Sequence, residues 1–390
     1  MGNTQAFLNK KISLILLYFL FLSCLVPISI FSFKNPANNW DMLGYMAIII
    51  RMDGTKDIKE VHRIVYKNAS DNIPHRDFQR LVDTSGPRAR FANNPLHFEK
   101  VLPIYIVKPL YTWLAYLFYK AGFTLPAATA IPSLVAYFLI GLLLLHWLNK
   151  YLKPSVAFLS ALLLMTSVFM VASASLSTPD TLSAFFLFSA VYFILEKPDM
   201  RLAFLFLILS VLTRADNVIT SFFIISLFSF SNKWARKITK GQYLLMVFIL
   251  VGAYFVAIFQ VRQFGWSLFY YSQYIKHMDF NRDFDKAFTL ADYFSYMYSK
   301  AKTGLISSHF TFFLFLASLI IFIPFPTRFN NLSLDQMFTF LIVATTLIRF
   351  VLLPDLSDRF SIAFYLVILV LLIRKLVGRY PGKSLGKIIS

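Results

Sequence analysis

The chain has 390 residues, 58% of them hydrophobic, with a mean hydropathy of +0.64 and a formal net charge of +19. A soluble domain is close to half apolar and spreads its charge along the chain; here charge is gathered into a few stretches between apolar runs long enough to cross a bilayer, which excludes a soluble core. The basic excess lies beside those runs, as the flanks of membrane spans require, so nucleic acid is set aside as a partner. The single cysteine, Cys24, excludes an intramolecular disulfide and a cysteine metal site.

In chain order, the first apolar run, 12–33, follows Lys10 and Lys11 and carries no clear small-residue cleavage site. It reads as an uncleaved span with a cytoplasmic N-terminus. A large polar segment, 34–122, comes next and is expected outside. Within it, 101–119 contains Pro103, Lys108, Pro109 and five tyrosines or tryptophans, a composition suited to the headgroup layer. Further apolar runs occupy 126–148, 154–176, 179–195, 202–231, 243–263, 305–325, 336–353 and 360–377. The run 202–231 is long for one span and is interrupted by Arg214 and Asp216. An Arg and an Asp at membrane depth face a polar cavity or a turn, so a hairpin of two short helices is expected there.

With 101–119 on the outer surface and that hairpin in place, Lys150, Lys153, Lys197 and Arg201 all fall in the cytoplasm. The rival reading, one span at each place, moves these four charges outside. The expected architecture is an all-α polytopic membrane protein of about ten transmembrane helices with both termini cytoplasmic. Its external segments are 34–122, with juxtamembrane helices, and 264–304, with the aromatic stretch Phe269-Tyr270-Tyr271 and the acidic run Asp279–Asp285. A basic cytoplasmic tail occupies 378–390. Loops of this length are uncommon unless they bind or catalyse. No internal repeat is visible, which weakens a transporter built from inverted repeats.

Candidate chemistry gathers at the expected outer face. Asp41, in Asn39-Trp40-Asp41-Met42-Leu43-Gly44-Tyr45, is either a helix cap or a general base. Asp180, in Ser177-Thr178-Pro179-Asp180, sits in an ordinary helix start, yet falls on the same face. Two converging carboxylates divide acid and base work or hold a divalent metal, the one cofactor the pattern admits. Lys108 either snorkels to the headgroups or binds a lipid phosphate, and Arg214 either pairs with Asp216 or does the same. Arg359, between Asp358 and Phe360, is either a third such cation or the structural partner of Asp355 or Asp358. The six histidines show no metal-ligand spacing, and there is no phosphate-binding loop, dinucleotide fingerprint or nucleophile elbow.

These positions resemble the GT-C superfamily of membrane glycosyltransferases. Within it the chain is most similar to the protein O-mannosyltransferases and the lipid A aminoarabinose transferases. Trp40-Asp41-Met42-Leu43-Gly44-Tyr45 matches the first-loop acidic residue. Phe98-Glu99-Lys100 and Val107-Lys108-Pro109-Leu110-Tyr111 fall where the family has its Lys-Pro segment. Thr178-Pro179-Asp180 matches the second acidic position, Leu212-Thr213-Arg214 a Leu-Thr-Lys, and Asp358-Arg359-Phe360 a late Arg-aromatic pair. The resemblance implies transfer of a sugar from a polyprenyl-phosphate donor to a glycan, lipid or protein acceptor on the non-cytoplasmic face, with inversion. It makes Asp41 the base and Asp180 its partner, and places Lys108, Arg214, Arg359 and Tyr45 on the lipid-phosphate side. The compact length and lack of a retention signal point to a bacterial inner membrane with a periplasmic site. The same cations also suit a lipid or lipid-linked-sugar transporter, or a non-catalytic assembly subunit of the same fold.

Overall fold

The computed structural model describes residues 2–83, 87–197, 199–230, 239–259, 289–323 and 332–379. Helices are the only regular structure among them, and no strand occurs. Five helical segments are long and apolar enough to cross a membrane. They are Leu14–Lys34 within α1 (Gly2–Lys34), α9 (Leu125–Leu148), α15 (Lys240–Ile258), α18 (Leu334–Leu352), and Asp358–Gly378, which contains most of α19 (Ile362–Arg379). The number rises to eight if each of three bent helix pairs is one span. The protein is thus a multi-helix membrane protein.

Helix length accounts for the gap between this number and the expected ten. The apolar helices α12 (Asp180–Leu195), α13 (Met200–Thr213) and α14 (Asn217–Phe230) have 16, 14 and 14 residues. At 1.5 Å per residue they reach roughly 21–24 Å, short of a hydrocarbon core of about 30 Å. The long run 202–231 does divide at Arg214–Asp216, where the charges interrupt it. Run 154–176 also breaks, into α10 (Pro154–Met165) and α11 (Val168–Ser175), because the Ser167 side chain accepts from the Met170 N–H and starts a new helix bent by 59°.

Segment 34–122 is built, among its described residues, as a helical unit around its own apolar core. It comprises α2 (Asp41–Met52), α3 (Ile58–Asn72), α4 (His75–Val82), α5 (Pro87–Asn93), α6 (Pro95–Val101), α7 (Pro103–Ile106) and α8 (Pro109–Lys120). Trp40, Tyr45, Val61, Phe98, Tyr105 and Tyr111 are buried together there, against Leu125 of α9 and Leu182 of α12. The chain turns by 109° at the Lys108-Pro109 step, because proline cannot continue the ladder and disfavours helix in the residue before it. Each arm alone is too short to cross a bilayer.

The membrane helices run between two polar poles. At one, Trp147 Nε1 (2.9 Å), Lys150 Nζ (3.1 Å) and the Tyr151 hydroxyl all donate to Glu196, and Arg374 lies 3.8 Å from it. Trp147 ends α9, Lys150 and Tyr151 lie in the turn before α10, Glu196 follows α12, and Arg374 lies late in α19. The opposite pole collects the start of α12, the α13–α14 turn, the end of α18 and the start of α19, together with α2. The acidic run Asp279–Asp285 and the aromatic stretch at Phe269 lie outside the described residues; the end of segment 264–304 belongs to helix α16 (Leu290–Ser307), which is followed by α17 (His309–Phe322).

Sidedness follows from this arrangement and is measurable. In a Cys24→Ser background, Asn93→Cys in the first loop and Ser155→Cys at the start of α10, both exposed, are expected to react with an impermeant thiol reagent from opposite sides of the membrane. Labelling of both from one side contradicts the two-pole topology.

Candidate active site

Asp41 lies in the first turn of α2, but Trp40 occupies the cap position and no side chain caps the helix. The capping expectation therefore gives way to a different role. The Asp41 carboxylate accepts from the Tyr105 hydroxyl (3.1 Å), from Asn39 Nδ2 (3.2 Å) and from an Arg359 guanidinium nitrogen (3.3 Å). Asn39 anchors this turn to the Ser177-Thr178-Pro179-Asp180 segment, since its Oδ1 accepts from the Ser177 N–H at 3.1 Å. Ala37 N donates to the Ser175 carbonyl at 3.0 Å, and Ser133 Oγ donates to the Thr178 carbonyl at 2.7 Å. Gly44 makes the Tyr105 contact possible: a Cβ there would lie 2.4 Å from the Tyr105 ring.

Asp180 begins α12, with its side chain 4% exposed, and forms ion pairs with Arg214 and, at 3.7 Å, with Arg359. Arg214 also makes a two-pronged contact with Asp216, at 3.0 and 2.9 Å. Asp216 is shared with Arg349 Nε at 3.1 Å. The result is a chain of alternating charge, Asp41–Arg359–Asp180–Arg214–Asp216–Arg349. Buried charges demand such pairing, because an isolated one is costly away from water. One phenyl ring lies against all three cations. The guanidinium carbons of Arg214, Arg359 and Arg349 lie 4.2, 4.8 and 5.0 Å from the centre of the Phe360 ring, whose negative face eases their mutual repulsion. Arg349 was not among the sequence candidates, although it is the one charge inside the run 336–353 and intramembrane charge is itself a functional signal.

Burial by itself would raise the Asp216 carboxyl; Arg214 and Arg349 outweigh it and hold the group well below the usual carboxylate range. Lys108 is partly exposed. Its amine sits over the Tyr45 and Tyr105 rings, 5.5 and 5.4 Å from their centres, and burial pushes it down to about 8 while Asp41 partly opposes the shift. Tyr45 is itself buried, edge-on to Tyr105 (4.9 Å) and Tyr111 (4.7 Å), and so walls the Lys108 site.

Arg359 does not pair with its sequence neighbours. Asp358 caps α17, accepting from Ser308 Oγ (2.8 Å), Phe310 N (3.2 Å) and His309 N (3.3 Å), and Asp355 accepts from Ser357 N at 2.8 Å. Asp41, Asp180, Arg214 and Arg359 thus meet directly, with Lys108 and Tyr45 alongside. Among the described residues no three metal-ligating side chains converge, and the Asp41 and Asp180 carboxylates are bridged by Arg359 instead.

Exposure separates the members of the network. Asp41 and Arg359 side chains are 29% and 38% exposed, against 12% for Arg214, Arg349 and Asp216. The accessible part is a carboxylate beside a cation, which can take a proton from one group and steady negative charge on another. No known protein family, curated protein or solved structure matches this chain.

The buried and exposed ion pairs are expected to differ sharply in their effect on stability. Asp216→Asn leaves two buried guanidinium groups short of a carboxylate and is expected to destabilise the fold by about 3–5 kcal/mol. Asp53→Asn removes an exposed pair with Lys120 and weakens a long hydrogen bond from Tyr116 (3.4 Å), and is expected to leave the unfolding midpoint nearly unchanged. Thermal unfolding in detergent compares the two; equal midpoints contradict the buried network.

Proposed function

We propose that the protein is a GT-C-type glycosyltransferase that moves a sugar from a polyprenyl-phosphate donor to an acceptor hydroxyl on the non-cytoplasmic face. The observation that carries this reading is the Asp41–Arg359 pair, a reachable carboxylate 3.3 Å from a reachable cation. On this reading the five long segments, the bent run 154–175, helix α17 and the three short apolar helices are taken as ten crossings, with 95–120 and α16 at the outer surface. Both termini then lie in the cytoplasm, and a bacterial inner membrane with a periplasmic site is the setting the reading favours.

In this mechanism Asp41 takes the proton from the acceptor hydroxyl as its oxygen attacks the anomeric carbon. The bond from that carbon to the phosphate oxygen breaks on the opposite side, which inverts the centre. Charge grows on the departing lipid phosphate, and Arg359, Arg214 and Lys108 stabilise it, as preorganised cations do where charge develops in a transition state. Asp180 takes no proton itself; its ion pairs hold Arg359 and Arg214 in place.

Reconstituted with a polyprenyl-phosphate sugar and an acceptor, the purified protein is expected to release polyprenyl phosphate and glycosylate the acceptor. Movement of intact donor across the bilayer without release establishes a transporter instead. The Lys108 amine is charged below about pH 8 and neutral above it. The donor KM is therefore expected to rise as pH passes 8, and Lys108→Arg, whose charge persists, to move that rise to higher pH. A KM that is flat across this range in both proteins removes Lys108 from donor binding.

A further inference from the structure

The donors around the Asp41 carboxylate are shared unevenly between its oxygens. Oδ2 accepts from both Asn39 Nδ2 (3.2 Å) and Arg359 (3.3 Å), whereas Oδ1 accepts from the Tyr105 hydroxyl alone (3.1 Å). A carboxylate oxygen has room for about two donors. Among the described residues Oδ2 is therefore filled, and one position on Oδ1 stays open, on a side chain that is 29% exposed.

Asn39 decides which way the carboxylate faces. Its own Oδ1 accepts from the Ser177 N–H at 3.1 Å. That N–H requires an acceptor, so turning the amide over would set its NH2 group against Ser177. Nδ2 is thereby aimed at Asp41 Oδ2. One amide thus spans from the backbone ahead of α12 to the carboxylate at the start of α2.

The backbone that carries Asn39 is held in turn. Ala37 N donates to the Ser175 carbonyl at 3.0 Å. Asn38 has φ of +41°, in the left-handed region that asparagine tolerates better than most side chains. Its Nδ2 donates to Asp77 Oδ2 at 2.8 Å, which ties the turn to α4. Strain of this kind persists where the surroundings over-determine the backbone. The donor on the other oxygen is fixed by packing. Tyr105 is 1% exposed, with the Trp40 and Tyr45 rings 6.3 and 4.9 Å from its own and Gly44 against its face.

We propose that Asn39 is a positioning residue for the base, holding Oδ2 back so that the open side of Oδ1 meets the acceptor hydroxyl. The inference rests on the glycosyltransferase reading with Asp41 as base. In the transfer step the acceptor O–H bond breaks as its oxygen joins the anomeric carbon, and the proton passes to Oδ1. Asn39 acts through Asp41 and takes no proton.

Steady-state transfer and thermal unfolding of Asn39→Ala, Asn39→Asp and Asp41→Asn, beside the unaltered protein, test this. Asn39→Ala removes both contacts of the amide. Asn39→Asp keeps an oxygen for the Ser177 N–H but sets a like charge against Asp41. Misplacing a reacting group by about 1 Å costs up to about a hundredfold, so kcat is expected to fall at least about tenfold in both. The donor KM is expected to stay within about threefold, because no phosphate-binding cation is altered, and Asn39→Asp to unfold close to the original midpoint. Unchanged kcat in either Asn39 variant, with transfer lost in Asp41→Asn, overturns the role of Asn39 and leaves the transferase reading standing. A fall in kcat matched by an equal rise in donor KM, or by a lower midpoint in both variants, marks a general loosening and also overturns it. Full transfer by Asp41→Asn overturns Asp41 as base and this inference with it. No transfer by the unaltered protein overturns the reading and the inference alike.

Discussion

The arrangement depends on one guanidinium group. Arg359 reaches Asp41, 318 residues earlier in the chain, and Asp180 at the start of α12. It thereby joins the helical unit of the first loop to the membrane bundle. The constraint behind this is electrostatic: each charge taken from water must meet an opposite one, and every link from Asp41 to Arg349 obeys it. Such networks are a weak source of stability, because apolar residues of similar volume hold a fold as well or better. Three arginines gathered on one phenyl ring are correspondingly hard to explain as packing alone, and easier to explain as a place where negative charge is received.

The two poles use similar residues to different ends. At Glu196, hydrogen bonds from Trp147, Lys150 and Tyr151 converge on one carboxylate whose side chain is 11% exposed. His146 is held nearby between the hydroxyls of Tyr18 and Tyr192, each at 2.9 Å. That pole ties helix ends together. At the other, Asp41 and Arg359 remain partly open. Accessibility, more than the number of charges, separates the candidate for chemistry from the fastening.

Much of this was legible in the sequence because charge beside apolar runs is conspicuous. Asp41, Asp180, Arg214 and Arg359 stand out for that reason, and Arg214-Asp216 also marks the break between α13 and α14. What pattern could not supply was distance. Tyr105 donates to Asp41 across 64 residues, and Gly44 makes sense only once the Tyr105 ring is seen against it. Asp358 sits next to Arg359 in the sequence but caps α17 instead, since local proximity does not decide which donor a carboxylate faces. Arg349 was hidden in an apolar run, where its partner Asp216 is far away in sequence. Span number was the least legible feature, because helices of 14 to 16 residues and bent pairs do not follow the length rule for straight spans.

The central claim is that Asp41 does chemistry and is not a structural carboxylate. The most direct measurement compares sugar transfer and thermal unfolding for the unaltered protein and Asp41→Asn. The side chain keeps its shape; of the two oxygens that separately accept from Tyr105 and Arg359, one becomes an NH2 group, so one of those bonds is lost at a partly exposed position. A general base contributes about 10²–10⁴ in rate, so transfer is expected to fall by at least about a hundredfold while the protein inserts and unfolds close to its original midpoint. Full transfer activity in Asp41→Asn contradicts the account.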